Sequence, residues 1–219
     1  MNPMTNSRAS RTTVALADDH AMLIDGLLPL IQKEFEIVGV ARDGRAMLEI
    51  ARKYRPKVIV TDISMPHLNG LDAARILAKE GNSARLLFMT MHADLPLVTE
   101  AFRSGAAGYI LKVCGADEFV KAIRSVAEGT TYITPLLAGD LVSTLLTVKP
   151  RQAPREAVLT VRQREVLQLL AEGKTMKEVA AMLRISTRTA ESHKYEMMRQ
   201  LGVQTTAGLV RYAVSIKLV

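Results

Sequence analysis

Residues 58–70 read VIVTDISMPHLNG, an apolar run that ends at Asp62 and a loop punctuated by Pro66 and Gly70. A short, nearly continuous apolar run is typical of a strand that is covered on both faces of its sheet. The loop therefore begins with a carboxylate at the carboxyl end of a buried strand.

The same unit recurs along the first 130 residues. Four more apolar runs of strand length lie at residues 14–18, 37–41, 86–90 and 107–111. Helix-length segments lie at residues 22–34, 45–54, 71–79, 95–104 and 116–128. Five strand–helix units predict an α/β fold, a five-stranded doubly wound parallel sheet of the flavodoxin-like type with strand order 2-1-3-4-5.

A different pattern follows. Residues 131–146 could add one helix, and Lys149–Arg155 reads as a linker with two prolines and three charges. From Thr160 the chain is predicted to form a small all-α domain, with helices at 160–171, 175–183, 187–201 and 205–217. Thr160 and Thr175 each begin a capping box. We expect domains at 12–130 and 158–219, joined by residues 131–157.

Composition limits the function classes. The formal charge is +7, and residues 155–219 hold 11 Lys and Arg against 6 Asp and Glu, which suits a polyanionic partner. A single cysteine, Cys114, excludes an internal disulfide and a cysteine-based zinc site. The absence of an 18-residue apolar stretch and the polar first 13 residues predict no membrane span, no secretory signal and a cytoplasmic protein.

Acidic residues follow the predicted strands. Asp18 and Asp19 end the first strand, Asp62 the third, Thr90 the fourth and Lys112 the fifth. Ligands of open parallel sheets bind at this edge, where crowded carboxylates need a hard cation such as Mg²⁺. Such a site suits phosphoryl transfer with Asp62 as the nucleophile. His20 and His67 are expected to be ordinary loop residues, because Mg²⁺ does not favour imidazole.

The centre of the all-α domain predicts a helix-turn-helix. Helices 175–183 and 187–201 are joined by a short turn, and such a pair can place its second helix in the major groove of DNA. That helix carries cations and hydroxyls suited to phosphates and base edges. The pattern alone leaves open a plain four-helix bundle that binds a protein.

Residues 12–130 closely resemble the receiver domain of bacterial two-component systems. The resemblance rests on Asp18-Asp19, on Asp62-x-x-Met-Pro-x-x-x-Gly70, on Thr90 and on Tyr109-Ile-Leu-Lys112. It implies that Asp62 accepts the phosphoryl group. It also implies that Asp18, Asp19, Asp62 and the Ser64 carbonyl hold Mg²⁺. Thr90 and Lys112 would contact the phosphoryl group, and Tyr109 would move inward with Thr90.

The C-terminal domain resembles the LuxR-type DNA-binding domain, through Leu159–Leu167, Ala171–Lys174, Lys177–Ala180 and Thr189–His193. The whole chain thus resembles a NarL/FixJ-type response regulator. The resemblance implies base contacts by Glu191, Ser192 and Tyr195. It implies phosphate contacts by Thr187, Arg188, Lys194 and Arg199. The last helix, with Leu209, Ala213 and Ile216 on one stripe, would pair two copies in a homodimer, although this stripe equally fits the core of its own domain.

The resemblance implies a regulator, not an enzyme, in which a sensor histidine kinase phosphorylates Asp62 and so controls binding to double-stranded promoter DNA. Two alternatives remain open. A Mg²⁺-dependent phosphatase with an Asp nucleophile would want a second Asp two residues later, where this chain has Ser64. A protein-binding adaptor would not bind duplex DNA in a salt-dependent way.

Overall fold

The computed structural model describes residues 11–91, 93–139, 159–216 and 218. The predicted linker, residues 140–146 of the predicted connecting helix and the first ten residues lie outside these ranges. Within the described part, residues 135–139 are helical, but residues 132 and 133, at the start of the predicted helix, form a strand.

The first domain is a parallel sheet with helices on both faces. Its strands are β1 (Thr13–Ala17), β2 (Glu36–Ala41), β3 (Val58–Thr61), β4 (Arg85–Thr90), β5 (Ala106–Leu111) and β6 (Tyr132–Ile133). Its helices are α1 (Ala21–Ile31), α2 (Gly44–Tyr54), α3 (Gly70–Lys79), α4 (Leu95–Arg103) and α5 (Ala116–Ala127). The strand order is β2-β1-β3-β4-β5-β6.

The predicted strand order is therefore confirmed, with one addition. The predicted count of five strands misses β6, which pairs in parallel with β5 through Tyr132 and Ile133. Two residues are too few to show a strand periodicity, so the local sequence does not predict β6. The strand forms because it pairs with the edge of β5.

Both faces of the sheet are buried, as the apolar runs predict. Within β3, Val58 and Val60 pack with α1 and α5, whereas Ile59 packs with α2, α3 and α4 on the opposite face. Alternate residues of a strand point to opposite faces, so a strand buried on both sides must be apolar throughout. Because the strands are apolar on both faces, the acidic residues lie at the strand ends.

The loop from β3 to α3 is closed tightly. The Gly70 N–H donates to the Ile63 carbonyl at 2.8 Å, and the Asn69 side chain caps α3 by accepting from the Asp72 N–H at 2.8 Å. A Cβ at residue 70 would lie 2.0 Å from the Asp62 carbonyl oxygen, so only glycine fits there. The loop thus has little slack next to Asp62.

The second domain has four helices, α6 (Val161–Ala171), α7 (Met176–Leu183), α8 (Thr187–Leu201) and α9 (Thr206–Ser215). Both predicted capping boxes are present, at Thr160 with Gln163 and at Thr175 with Glu178. Arg184 adopts a left-handed conformation in the turn between α7 and α8. The helix-turn-helix geometry therefore matches the prediction.

Leu209 and Ala213 of α9 are fully buried in the core of the second domain. The apolar stripe of this helix is therefore occupied within its own domain. Val214, which is 57% exposed, lies on the outer side. No helix in the described ranges is both long and apolar enough to cross a lipid bilayer.

Candidate functional site

The sheet topology gathers the acidic residues at one edge. β1 and β3 are neighbours in parallel register, with Ala17 opposite Thr61, so Asp18 and Asp62 leave adjacent strands at the same level. β5 delivers Lys112 next to Thr90, because the Lys112 N–H donates to the Thr90 carbonyl at 2.8 Å. The expected convergence of strand ends is thus observed.

A buried ammonium lies between two buried carboxylates. Lys112 Nζ is 2.8 Å from Asp18 Oδ2 and 2.7 Å from Asp62 Oδ2. The three side chains are at most 6% exposed. The second oxygen of Asp62, Oδ1, accepts from the Ile63 N–H at 2.6 Å. Lys112 therefore places one positive charge between the two carboxylates.

Burial governs the ionisation of this cluster. Burial raises the pKa of Asp62 above its ordinary value, and the hydrogen bond and charge of Lys112 offset only part of that rise. Burial disfavours the charged amine of Lys112, but its close contacts with Asp18 and Asp62 outweigh that effect and raise its pKa. Lys112 therefore keeps its positive charge at neutral pH.

His20, which the sequence predicts to be an ordinary loop residue, lies beside the acidic pocket. Its Nδ1 lies 3.0 Å from Asp18 Oδ1 and 2.9 Å from Asp19 Oδ1. Its position directly after the acidic pair was the available signal. His67, in contrast, lies 3.5 Å from Asp43 Oδ2, apart from this cluster.

The pocket fits a cation with oxygen ligands. One ligand atom from each of Asp18, Asp19, His20 and Asp62 lies within 4.8 Å of the others. Asp18 Oδ2 is buried and accepts no hydrogen bond from the described residues, so Lys112 meets it as an ion pair. A divalent cation could take up this unused acceptor capacity. Ser64 is exposed in the loop after Asp62, and its role as a ligand stays a prediction.

The two residues of the predicted switch are both buried. Thr90 is 1% exposed at the end of β4, and Tyr109 is 0% exposed on β5, paired with Phe88. Burial raises the pKa of the Tyr109 phenol, with smaller contributions from the charges of Asp94 and Asp62. The ring of Tyr109 therefore already lies inside the domain.

The helix that the sequence assigns to DNA presents its predicted contacts outward. Thr187, Arg188, Glu191, Ser192, Tyr195 and Arg199 are exposed, and Lys194 is partly exposed. Lys194 Nζ lies 5.3 Å from the centre of the Tyr195 ring, which is 63% exposed. Ala190 and Met197 anchor the opposite face in the domain core. The surface is cationic and polar, as a DNA contact requires.

Two family models match the chain in succession. The response regulator receiver domain matches residues 14–124, and the luxR family of bacterial regulatory proteins matches residues 157–213. Among similar proteins, the transcriptional regulatory protein MctR of Rhizobium johnstonii is 37% identical over 91% of this chain and 92% of its own length. The transcriptional regulatory protein DegU of Brevibacillus brevis is 31% identical over 93% and 92%.

Solved structures agree with these relatives. The response regulator ChrA of a heme-sensing two-component system is 29% identical, with a TM-score of 0.52 over 96% of this chain and 100% of that one. A LuxR-family two-component response regulator from Aurantimonas is 28% identical, with a TM-score of 0.60 over 63% of this chain and 99% of that one.

Replacing Lys112 tests its role as counter-charge. We expect Lys112→Met to lower the free energy of unfolding by about 3 kcal/mol, because two buried carboxylates lose their partner. Adding Asp62→Asn to Lys112→Met should restore part of this loss, since one of the two repelling charges is gone. Urea unfolding at neutral pH without divalent cations measures both effects. The control is Lys121→Met on the exposed side of α5. Equal stability of Lys112→Met and Lys121→Met would contradict the assignment.

Proposed function

Because this chain belongs to the response regulators that join a receiver domain to a LuxR-type DNA-binding domain, we propose that phosphorylation of Asp62 by a sensor histidine kinase controls its DNA binding and the transcription of target genes. The observation that carries the proposal is the contact of Lys112 with both Asp62 and Asp18. This contact supports Asp62 as a nucleophilic carboxylate beside the positive charge of Lys112. Phosphoryl transfer to an aspartate needs both groups.

In the proposed reaction, a carboxylate oxygen of Asp62 attacks the phosphorus atom of the phosphoryl donor. The new Asp62 O–P bond forms as the bond from phosphorus to the donor's leaving group breaks, and the leaving group keeps the electron pair. Lys112 lies close enough to offset the negative charge on the phosphoryl oxygens. Thr90, at the end of the adjacent strand, would contact the same group through its hydroxyl.

The proposed cofactor is Mg²⁺, held by Asp18, Asp19, Asp62 and the Ser64 carbonyl. When bound, it would neutralise charge on the transferring phosphoryl group. A cation that binds Asp18 Oδ2 would compete with Lys112 for this oxygen. Lys112 is then left to Asp62 and to the incoming phosphoryl group.

The kinase would approach from the pocket edge. Three large apolar side chains are exposed beside pocket residues in the chain, Met22 near His20, Met91 after Thr90 and Val113 after Lys112. If these side chains form one patch, they would favour a protein partner over a small donor alone. A kinase and DNA as partners place the work of this protein in the cytoplasm.

The output is proposed to pass through the face built by residues 95–129 and to end at α8. There Glu191, Ser192 and Tyr195 would approach base edges, and Thr187, Arg188, Lys194 and Arg199 would hold phosphates. The exposed side of α9 around Val214 is the surface left for pairing two copies on a two-part DNA site. We expect the homodimer when the protein is phosphorylated or on DNA.

The phosphatase alternative has less support. A general acid would be needed near the leaving group, and the chain has Ser64, an exposed hydroxyl, two residues after the nucleophile. A hydroxyl does not titrate near neutral pH and is a poor general acid. We therefore propose self-limited phosphorylation of Asp62 without turnover of phosphate esters.

Phosphoryl uptake tests the receiver half of the proposal. With acetyl phosphate and Mg²⁺, the parent should gain the mass of one phosphoryl group, and Asp62→Asn should gain none because its amide is not nucleophilic. Intact-protein mass spectrometry reads both. Equal uptake by the two proteins would mean that another residue is the acceptor. Release of phosphate from a small ester at steady state would instead revive the phosphatase.

Salt-dependent DNA binding tests the other half. We expect Arg188→Ala to weaken binding to duplex DNA of any sequence and to reduce the slope of log K against log salt concentration by about one. Fluorescence anisotropy over a salt series measures this slope. Lys33→Ala, which removes an exposed cation from the first domain, is the control and should leave the slope unchanged. A parent affinity for DNA that does not change with salt concentration would favour the protein-binding adaptor.

A further inference from the structure

One face of α6 lies against the loop that follows Asp62. We call this the docking face and define it by Arg164, Glu165, Gln168 and Glu172. Helix α6 is the first helix of the DNA-binding domain, so the contact joins the two domains.

Gln168 is the centre of the docking face. Its Oε1 accepts from the Asn69 N–H at 3.0 Å and from Asn69 Nδ2 at 3.1 Å. Its Nε2 donates to the Met65 carbonyl at 2.7 Å and to Glu172 Oε1 at 3.0 Å. The side chain is thus satisfied at both ends, and the residue is 1% exposed. A buried amide with four polar contacts fixes its neighbours in position.

The remaining contacts reinforce this registration. Glu172 Oε1 accepts from the His67 N–H at 2.9 Å, at a residue in the left-handed region with φ 66°. Arg164 Nε donates to Asp72 Oδ1 at 2.6 Å, and Asp72 is 1% exposed. The backbone of residues 65, 67 and 69 is therefore bound by side chains of the other domain.

This loop is mechanically close to the phosphorylation site. Its first residue, Ile63, donates its N–H to Asp62 Oδ1, and its carbonyl accepts from the Gly70 N–H. A phosphoryl group converts one Asp62 oxygen into the bridging oxygen of an acyl phosphate. At least one of the present contacts of Asp62, with the Ile63 N–H or with Lys112, must then change. A closed loop with little slack transmits such a change to Met65 and Asn69, where Gln168 holds it.

The contact does not act by covering the DNA-binding surface. Arg188, Glu191 and Tyr195 of α8 are exposed in this docked arrangement. The docking face therefore restrains the loop next to Asp62 but leaves α8 accessible to DNA.

We propose that Gln168 is a positioning residue for the phosphorylation of Asp62, through which the docked DNA-binding domain opposes phosphoryl uptake. The proposal rests on the proposed function of Asp62. Gln168 stabilises the loop in the form that accompanies the Lys112 bridge, so uptake has to work against its hydrogen bonds. Loss of these bonds should accelerate uptake about five-fold or more, the effect of lowering the barrier by about 1 kcal/mol.

The test compares three variants of the full chain. Gln168→Glu keeps the shape and the acceptor toward Asn69 but sets a carboxylate against the Met65 carbonyl and Glu172. Glu172→Ala, at a partly exposed position, removes the contacts of Glu172 with the His67 N–H and with Gln168 Nε2, and leaves the Gln168 contacts with Asn69 and Met65 in place. Gln204→Glu adds the same charge as Gln168→Glu at an exposed site in the same domain and is the control. Circular dichroism checks that each variant is folded.

Two readouts are taken. The first is the rate of phosphoryl uptake from acetyl phosphate with Mg²⁺, by intact mass, with Asp62→Asn as the blank. The second is hydrogen exchange of the peptide covering residues 63–71 without donor. We expect faster uptake and faster exchange at the His67 and Asn69 amides in Gln168→Glu and Glu172→Ala. Gln204→Glu should match the parent in both.

Uptake by Gln168→Glu at the parent rate, or more slowly, would overturn the proposal. Unchanged exchange in Gln168→Glu would overturn it too, because the contact would then not restrain the loop. If the parent and Asp62→Asn both take up no phosphoryl group, the proposed function itself fails. If the parent is phosphorylated and Gln168→Glu shows faster exchange but the same uptake rate as the parent, only the positioning role is overturned.

Discussion

The ion-pair contact of one ammonium with two buried carboxylates is the constraint on which the rest of this structure depends. Lys112 meets Asp18 and Asp62 within 2.8 Å, at side chains almost without exposure. Such charges are tolerated only where strands end together, because the strands themselves are apolar on both faces. The sheet therefore determines where the charges lie. The charges in turn leave Asp62 both buried and paired with Lys112.

The same loop serves two purposes. On one side, the Ile63 N–H holds an oxygen of Asp62; on the other, Gln168 and Glu172 of the DNA-binding domain hold the Met65 carbonyl and the Asn69 and His67 N–H groups. Phosphorylation of Asp62 and docking of the DNA-binding domain would thus require different conformations of one short segment. Coupling of this kind is reciprocal for equilibrium binding. It needs no occlusion of α8, whose outer side is exposed.

How far the sequence predicts the molecule depends on how local each interaction is. The capping boxes at Thr160 and Thr175 are predictable because their partners lie three residues away, and the strand ends are predictable because parallel strands converge at one edge. The strand Tyr132–Ile133 was missed because it exists only against β5. The contacts of His20 with Asp18 and Asp19 could not be predicted, because they depend on the direction of its side chain. Gln168 and Asn69 are 99 residues apart, and their contact depends on the docking of two domains, which no periodicity encodes.

The most direct measurement of the central claim is the affinity for promoter DNA of the parent and of Asp62→Asn, each with and without acetyl phosphate, at constant Mg²⁺ and salt. We expect the donor to shift the dissociation constant of the parent about five-fold or more and to leave that of Asp62→Asn unchanged. A donor effect of equal size in both proteins, or none in a parent that mass spectrometry shows to be phosphorylated, would contradict a switch that runs from Asp62 to the DNA-binding helix.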